Sequence, residues 1–284
     1  MNKLSRAQRA HIISLLVEGM SLRAVTRTTG ASINTVTKLL VDAGRACSDY
    51  QDKALRDLSC KRLQIDEIWE FCYAKAKNVA TAKRAPKEAG DIWTFVAIDA
   101  DTKLVPSWFV GERDAHCALE FLLDLRDRLA NRVQLTTDGH RAYLDAVSDA
   151  FADNIDYAML VKHYATPQVE TEAARRYSPT PCIGAEKRAR IGKPDPDHIS
   201  TSHVERQNLT MRMCMRRFTR LTNAFSKKAA NHVHAVSLHF MYYNFVRIHQ
   251  TLRCSPAMAA GVTERLWDIA DIVQVVEDWE TTKA

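Results

Sequence analysis

The stretch Leu63 to Tyr73 constrains the fold more than any other part of the chain. Leu63, Ile65, Glu67, Trp69, Phe71 and Tyr73 alternate with Gln64, Asp66, Ile68, Glu70 and Cys72, a period of two that only an extended strand can sort onto two faces. That strand carries an acid, Asp66, in its middle. A charged loop (Lys75 to Gly90) follows, then a second strand from Ile92 to Asp99, an Asp-Ala-Asp-Thr turn at 99 to 102, and a third strand from Leu104 to Val110. The short connection predicts an antiparallel hairpin. Asp114 can cap a helix whose stripe is Leu119, Leu122, Leu123 and Leu129, and Val133 to Thr137 makes a short strand ending in Asp138-Gly139. A helix over 140 to 151 and a fifth strand from Ile155 to Val161 complete the order. A three-stranded meander followed by helix, strand, helix and strand is the α/β order of a ribonuclease H-like domain, with a mixed five-stranded sheet. In that order the first and fourth strands are neighbours, so Asp66 and Asp138 converge.

The next acid of interest lies in Ser202-His-Val-Glu205-Arg-Gln-Asn208, the head of a basic helix. Glu205 is the only acid between Asp197 and Glu264. Ser202 and Glu205 fit a Ser-x-x-Glu capping box, in which the carboxylate only satisfies a helix-start amide. Likewise Asp66 alone suits a solvent-facing strand edge, and Asp138-Gly139 suits plain turn chemistry. The three together favour an acidic triad that holds metal. Glu170, Glu172 and Glu186 compete for the third place, but none opens a basic helix. Steps of three and four put Glu205, Asn208, Arg212 and Arg216 on one helix side, and five arginines (206, 212, 216, 217 and 220) surround the acid.

Residues 1–62 hold 11 Lys and Arg against 5 Asp and Glu, so this head supplies the whole formal charge of +6. A basic head on a neutral body points to a polyanion bound chiefly through the head. Helical patterns capped by Ser5, Ser21 and Ser32, with Gly30 at a tight turn, give the helix-turn-helix plan. In such a motif Asn34, Thr35, Thr37 and Lys38 open the third helix and meet base edges or phosphates in the major groove. An ordinary three-helix bundle has the same apolar pattern, and the basic charge favours DNA.

We therefore expect a helix-turn-helix domain over 1–45, a linker over 46–62, a catalytic domain over 63–221 and a C-terminal helical region over 222–284. Five prolines and little periodicity mark 162–199 as a loop insertion, and its Lys187, Arg188, Arg190 and Lys193 read as solvated charge. Phe225 to Thr251 reads as one long helix. His232, His234, His239 and His249 lack a Cys or carboxylate partner at ligand spacing, so they read as structural. The methionines at 211, 213 and 215 read as core filler, and a last helix forms around Trp267, Ile269 and Val273. Seven scattered cysteines without a C-x-x-C argue for reduced thiols in a cytoplasmic protein, and no apolar run suggests a membrane partner.

These motifs resemble the DDE transposases of bacterial insertion sequences, within the retroviral-integrase superfamily. The resemblance covers residues 63 to about 260. It is carried by Ile65-Asp66-Glu67-Ile-Trp69, by Thr94 to Asp99, by Thr137-Asp138-Gly139, by Val204-Glu205-Arg-Gln-Asn208-Leu-Thr-Met-Arg212, and by Tyr243-Asn244-Phe-Val-Arg247-Ile-His249 with Pro256. The Glu205 run is most similar to the insertion-sequence-one family. Ile248 departs from the usual proline, and the 67-position interval from Asp138 to Glu205 exceeds the usual spacing, so the insertion must loop out. The resemblance implies Asp66, Asp138 and Glu205 as catalytic residues holding two Mg²⁺ (or Mn²⁺), with Asp66 bridging, and Arg212 and Arg216 on the DNA. It implies cleavage at an element's ends and transfer of the 3′-hydroxyls to target DNA. The partners implied are double-stranded DNA, as terminal inverted repeats and target, and a second copy of the chain, in the bacterial cytoplasm at the nucleoid. Two other activities fit the same residues: a DNA-binding regulator with an inactive body, and a structure-specific nuclease that cuts without joining.

Overall fold

The alternation at 63 to 73 is realised as β1, Arg62–Cys72. The computed structural model describes residues 4–165, 180–219 and 222–283. β2 (Gly90–Asp99) and β3 (Trp108–Gly111) extend the sheet from β1 as an antiparallel meander. β4 (Gln134–Thr137) and β5 (Asp156–Tyr164) lie parallel to β1 on its other side, giving the order β3-β2-β1-β4-β5 of a ribonuclease H-like sheet. The sheet is six-stranded, not five: β6 (Cys182–Ile191) pairs antiparallel with β5 along its length. This strand falls in the segment read as a loop. All ten of its residues are exposed or only partly covered, and Ile183 is 68% exposed, so no buried face imposes apolar alternation and ladder hydrogen bonds alone define it.

Even-numbered residues of β1 face one layer and odd-numbered ones the other. The odd face carries Leu63 and Ile65 beneath α5 (Ala115–Arg126, capped by Asp114 on the Cys117 amide at 2.8 Å) and α6 (Ala142–Phe151), where Phe95 meets Phe121 and Tyr143. A single-turn α4 (Ala76–Val79) sits in the loop between β1 and β2. The even face carries Ile68 beneath α7 (Ser202–Cys214) and α8 (Ala229–Met241), packed through Val204, Met211, Val236 and Phe240. The long helix read over 225 to 251 stops short, because Tyr242–Val246 form a π turn. Fully buried Asn244 in that turn accepts from the Val105 amide at 3.0 Å and donates to the Val105 carbonyl at 2.9 Å, pairing with backbone as a strand would.

At the N-terminus α1 (Arg6–Val17), α2 (Leu22–Thr29) and α3 (Ile33–Ala54) start at Ser5, Ser21 and Ser32, each accepting a hydrogen bond from a helix-start amide. Gly30 closes α2 at φ 71°, a left-handed turn that favours glycine. Residues 46–54, read as linker, are the second half of α3, and they bury Ala46, Cys47 and Gln51. Their core pattern was obscured because Gly44 and Ala46 replace large side chains. A Cβ on Gly44 would sit 2.4 Å from the His234 Cβ, so α3 and α8 touch nearly backbone to backbone. After the one-turn α9 (Pro256–Ala259), α10 (Ile269–Thr282) packs against α1 and α3, with Arg9 paired to Glu280 at 3.1 Å. No helix among the described residues is long and apolar enough to cross a membrane. All seven cysteines are free thiols.

Candidate active-site cleft

The middle of β1, the end of β4 and one helix start converge at the middle of the sheet. Gln64 on β1 pairs with Thr136 on β4, so carrying that register two residues further sets Asp138 beside Asp66. β4 stops at Thr137, and the crevice opens there, beyond the carboxyl end of a strand. Asp66 lies on the even face, where Asn208 of α7 donates to its Oδ2 at 2.9 Å. Asp138 closes a turn by accepting from the His140 amide at 2.8 Å. That turn bond leaves its other oxygen toward the crevice.

The start of α7 is set by β1. Buried Gln64 accepts from the His203 amide at 2.8 Å and the Val204 amide at 3.2 Å, and Ser200 Oγ accepts from the Ser202 amide at 3.2 Å. The orphan amides of the helix are thus satisfied from outside it. The capping box read at Ser202 and Glu205 is not formed: Thr201 precedes the helix, Ser202 is already helical, and the Glu205 Oε1 accepts instead from Thr201 Oγ1 and from Lys162 Nζ of β5. With its amides already bonded, the helix has no need of the carboxylate. Replacing Gln64 by Leu is expected to cost about 1–3 kcal/mol, because two buried amides lose their acceptor. Urea denaturation would measure it, and an unchanged midpoint would contradict this account of the helix start.

Asp66, Asp138 and Glu205 line one open cleft of about 820 Å³ together with Arg113, His140, Arg141 and Lys162. Within the described residues, the compact acidic group is Asp66, Glu67 and Asp138, which each offer an oxygen within 4.8 Å of the others. Glu67 was not singled out in the sequence, where it is one apolar-phase position of an alternating strand. It points to the odd face with a side chain 1% exposed; its Oε2 lies 3.6 Å from Arg113, and its Oε1 lies 3.9 Å from His140 Nε2. Arg113 spans the gap to Asp138 at 4.0 Å and stacks over Trp93, its guanidinium carbon 4.8 Å from the ring centroid. The signal available in the sequence was the adjacent pair Asp66-Glu67, which presents one carboxylate to each face of the strand.

Electrostatics follow from this crowding. Burial, then the charge of Asp138, push Asp66 up to about 6 against the help of the Glu67 amide and Asn208. Burial and Asp138 push Glu67 up to about 7, opposed by Arg113. Burial and the Arg113 charge hold the His140 imidazole below its usual range. Three carboxylates whose oxygens lie within 4.8 Å of one another are a hard-donor set that fits a divalent cation such as Mg²⁺ or Mn²⁺ and does not fit a soft metal.

The other residues singled out in the sequence lie apart. Arg212 is half-buried on α7. Arg216 is not on that helix face, since α7 ends at Cys214 and Arg216 opens a 3₁₀ turn; Arg217 turns inward and donates to Ser226 Oγ at 3.0 Å. Arg220, Glu170 and Glu172 lie outside the described residues, and Glu186 pairs with Arg188 on exposed β6. Asn34 and Lys38 are exposed at the start of α3, Thr35 bonds Ser32, Thr37 donates back to the Ile33 carbonyl at 2.8 Å, and Lys38 pairs with Asp42. Met211 and Met215 are core residues, while Met213 is exposed. His232 is buried against Glu70 at 2.8 Å, a structural contact.

No protein-family profile matches the chain, and no curated protein matches it. Among solved structures it is similar to a Mos1 transposase paired-end complex with the left transposon end, at 15% identity over 55% of this chain with a TM-score of 0.25. It is also similar to a piggyBac transposase synaptic complex with hairpin DNA, at 10% identity over 98% of this chain with a TM-score of 0.42. The chain spans 60% of the first of these and 72% of the second.

Proposed function

We propose that this chain is a DDE-type transposase, which cuts DNA at the ends of an insertion sequence and joins the freed 3′-hydroxyls to target DNA. The observation that carries the reading is that Asp66, Asp138 and Glu205, brought from two strands and a helix, line one solvent-open cleft with Arg113, Arg141 and Lys162. A divalent cation held there supplies activation of the attacking oxygen and stabilisation of the leaving one. Asp66 and Asp138 would be the close pair of ligands, with oxygens within 4.8 Å of each other, and Glu205, whose Oε1 is paired with Lys162, would join them from α7. Asn208 keeps the Asp66 carboxylate turned toward the cleft, and Gln64 keeps α7 over it. Glu67 stands behind Asp138 and holds Arg113 there. The cations at the rim balance the phosphate charge of a strand laid across the acids.

In this reading α1–α3 recognise the terminal repeats through Asn34, Thr35, Thr37 and Lys38, residues 63–221 carry the chemistry, and Arg212 and Arg216 touch phosphate. Two copies act together because two ends must be paired. The assay is incubation of the protein with Mg²⁺ or Mn²⁺ and DNA bearing its element's terminal repeats. Nicking with strand transfer supports the transposase. Nicking alone assigns a nuclease, and binding alone a regulator.

A further inference from the structure

Beyond Glu67 the odd face of the sheet loses its helical cover. The α5–α6 layer reaches Phe95 and Tyr143, and the next residues on that face, Trp69, Phe71 and Trp93, are only half-buried. Trp69 lies opposite Trp93 across the β1–β2 ladder. The Trp69 and Phe71 ring centroids are 5.9 Å apart, and Phe71 meets Phe225 at 4.8 Å with planes 35° apart. Cations sit over these rings: Lys75 at 5.5 Å from Trp69, Arg113 at 4.8 Å from Trp93 and Lys227 at 3.7 Å from Phe225. The loop alongside, from Lys75 to Gly90, holds five Lys or Arg against one Glu.

A cluster of partly exposed aromatic rings past the edge of the α5–α6 layer, overlain by the side chains of Lys75, Arg113 and Lys227, is the kind of patch that marks an interaction site. Its occupant is selected by the charge. Cations beside the rings call for an anionic occupant, and a single nucleic-acid strand offers both a π-face per base and a phosphate per residue. The geometry is that of sheet aromatics stacking splayed bases while basic side chains hold the backbone. Position agrees: Arg113 lines the acidic cleft and also lies over Trp93, which pairs with Trp69 across the β1–β2 ladder.

We infer that Trp69, Phe71 and Phe225, with Lys75 and Lys227, form a stacking platform for unpaired nucleobases of a DNA strand leaving the acidic cleft. The inference rests on the cleft being a DNA-processing site, and its test is independent of cleavage. In EDTA, the full-length protein is titrated into a fluorescently labelled oligo(dT) and, separately, a blunt duplex of random sequence. Trp69→Leu and the surface substitution Lys227→Glu are each expected to weaken oligo(dT) binding by at least about tenfold, with Trp69→Phe retaining it. Duplex affinity changes by less than about twofold for Trp69→Leu. Circular dichroism melts check that Trp69→Leu is folded; Lys227 is exposed, so its variant tests the platform even where Trp69→Leu unfolds. Oligo(dT) affinity equal to wild type in both variants would overturn the inference, as would equal losses on oligo(dT) and duplex for Trp69→Leu. Loss of nicking with oligo(dT) binding intact would instead count against the transposase reading alone.

Discussion

Replacing Asp138 by Asn is expected to lower strand cleavage by at least about 10³-fold, equivalent to about 4 kcal/mol of barrier, while DNA affinity stays within a few-fold of wild type. The substitution keeps size and turn chemistry. Asn can still accept the His140 amide bond made by Asp138 Oδ1, so the β4–α6 turn persists and only the anionic oxygen is lost. The same loss is expected for Asp66→Asn, which retains an acceptor for Asn208. Glu205→Gln should follow them, because its carboxylate has no capping duty in α7. Gel-based nicking assays read the rates and filter binding reads the affinity. Full cleavage by Asp138→Asn with binding unchanged would show that the acids of this cleft do not carry the chemistry.

Glu67→Gln should raise the stability of the metal-free protein, in a way that depends on pH. Burial first and the Asp138 charge next push Glu67 up to about 7 and Asp66 up to about 6. A carboxyl whose folded value lies above its unfolded value holds its proton in the folded state longer than in the unfolded chain. Its stabilising contribution is therefore complete below about pH 4, the ordinary carboxylate range, and is lost as pH rises through the folded values near 6 and 7. For Glu67 the difference amounts to about 3 kcal/mol. In EDTA, wild-type Tm should fall between pH 5 and pH 8, and at pH 8 Glu67→Gln should melt roughly 5–10 °C higher than wild type. Adding Mg²⁺ should recover wild-type stability more at pH 8 than at pH 5, since the cation takes the place of the proton that Asp66 has lost by pH 8. Differential scanning calorimetry at both pH values decides this. A wild-type Tm that climbs across this range in EDTA would reverse the sign and remove the account of buried, mutually repelling acids.

What the chain displays openly in its residues is what a buried face enforces. The alternation at 63 to 73 announced β1 and put Asp66 and Glu67 on opposite sides, and Asp114, Ser5, Ser21 and Ser32 marked helix starts because each side chain satisfies an orphan amide locally. The convergence of Asp66 and Asp138 was legible because the strand order makes β1 and β4 neighbours, whereas Glu205 was legible only as the acid that opens a basic helix. Features set by tertiary partners were not. β6 has no apolar face, since its only requirement is the edge of β5. The second half of α3 hides its contacts in small residues such as Gly44. α7 borrows its cap from Gln64, 139 positions from His203, so Ser202 looked like the cap. The buried position of Glu67 depends on Arg113 and α6 arriving over it, which no local spacing encodes.

The claim that these acids form a metal site is tested most directly by Mn²⁺ binding, followed through the free-ion electron paramagnetic resonance signal. Wild-type protein should deplete the free-ion signal, and Asp66→Asn and Asp138→Asn should each weaken binding by at least about tenfold. A free-ion signal undiminished by wild-type protein, or affinity unchanged in both variants, would contradict it.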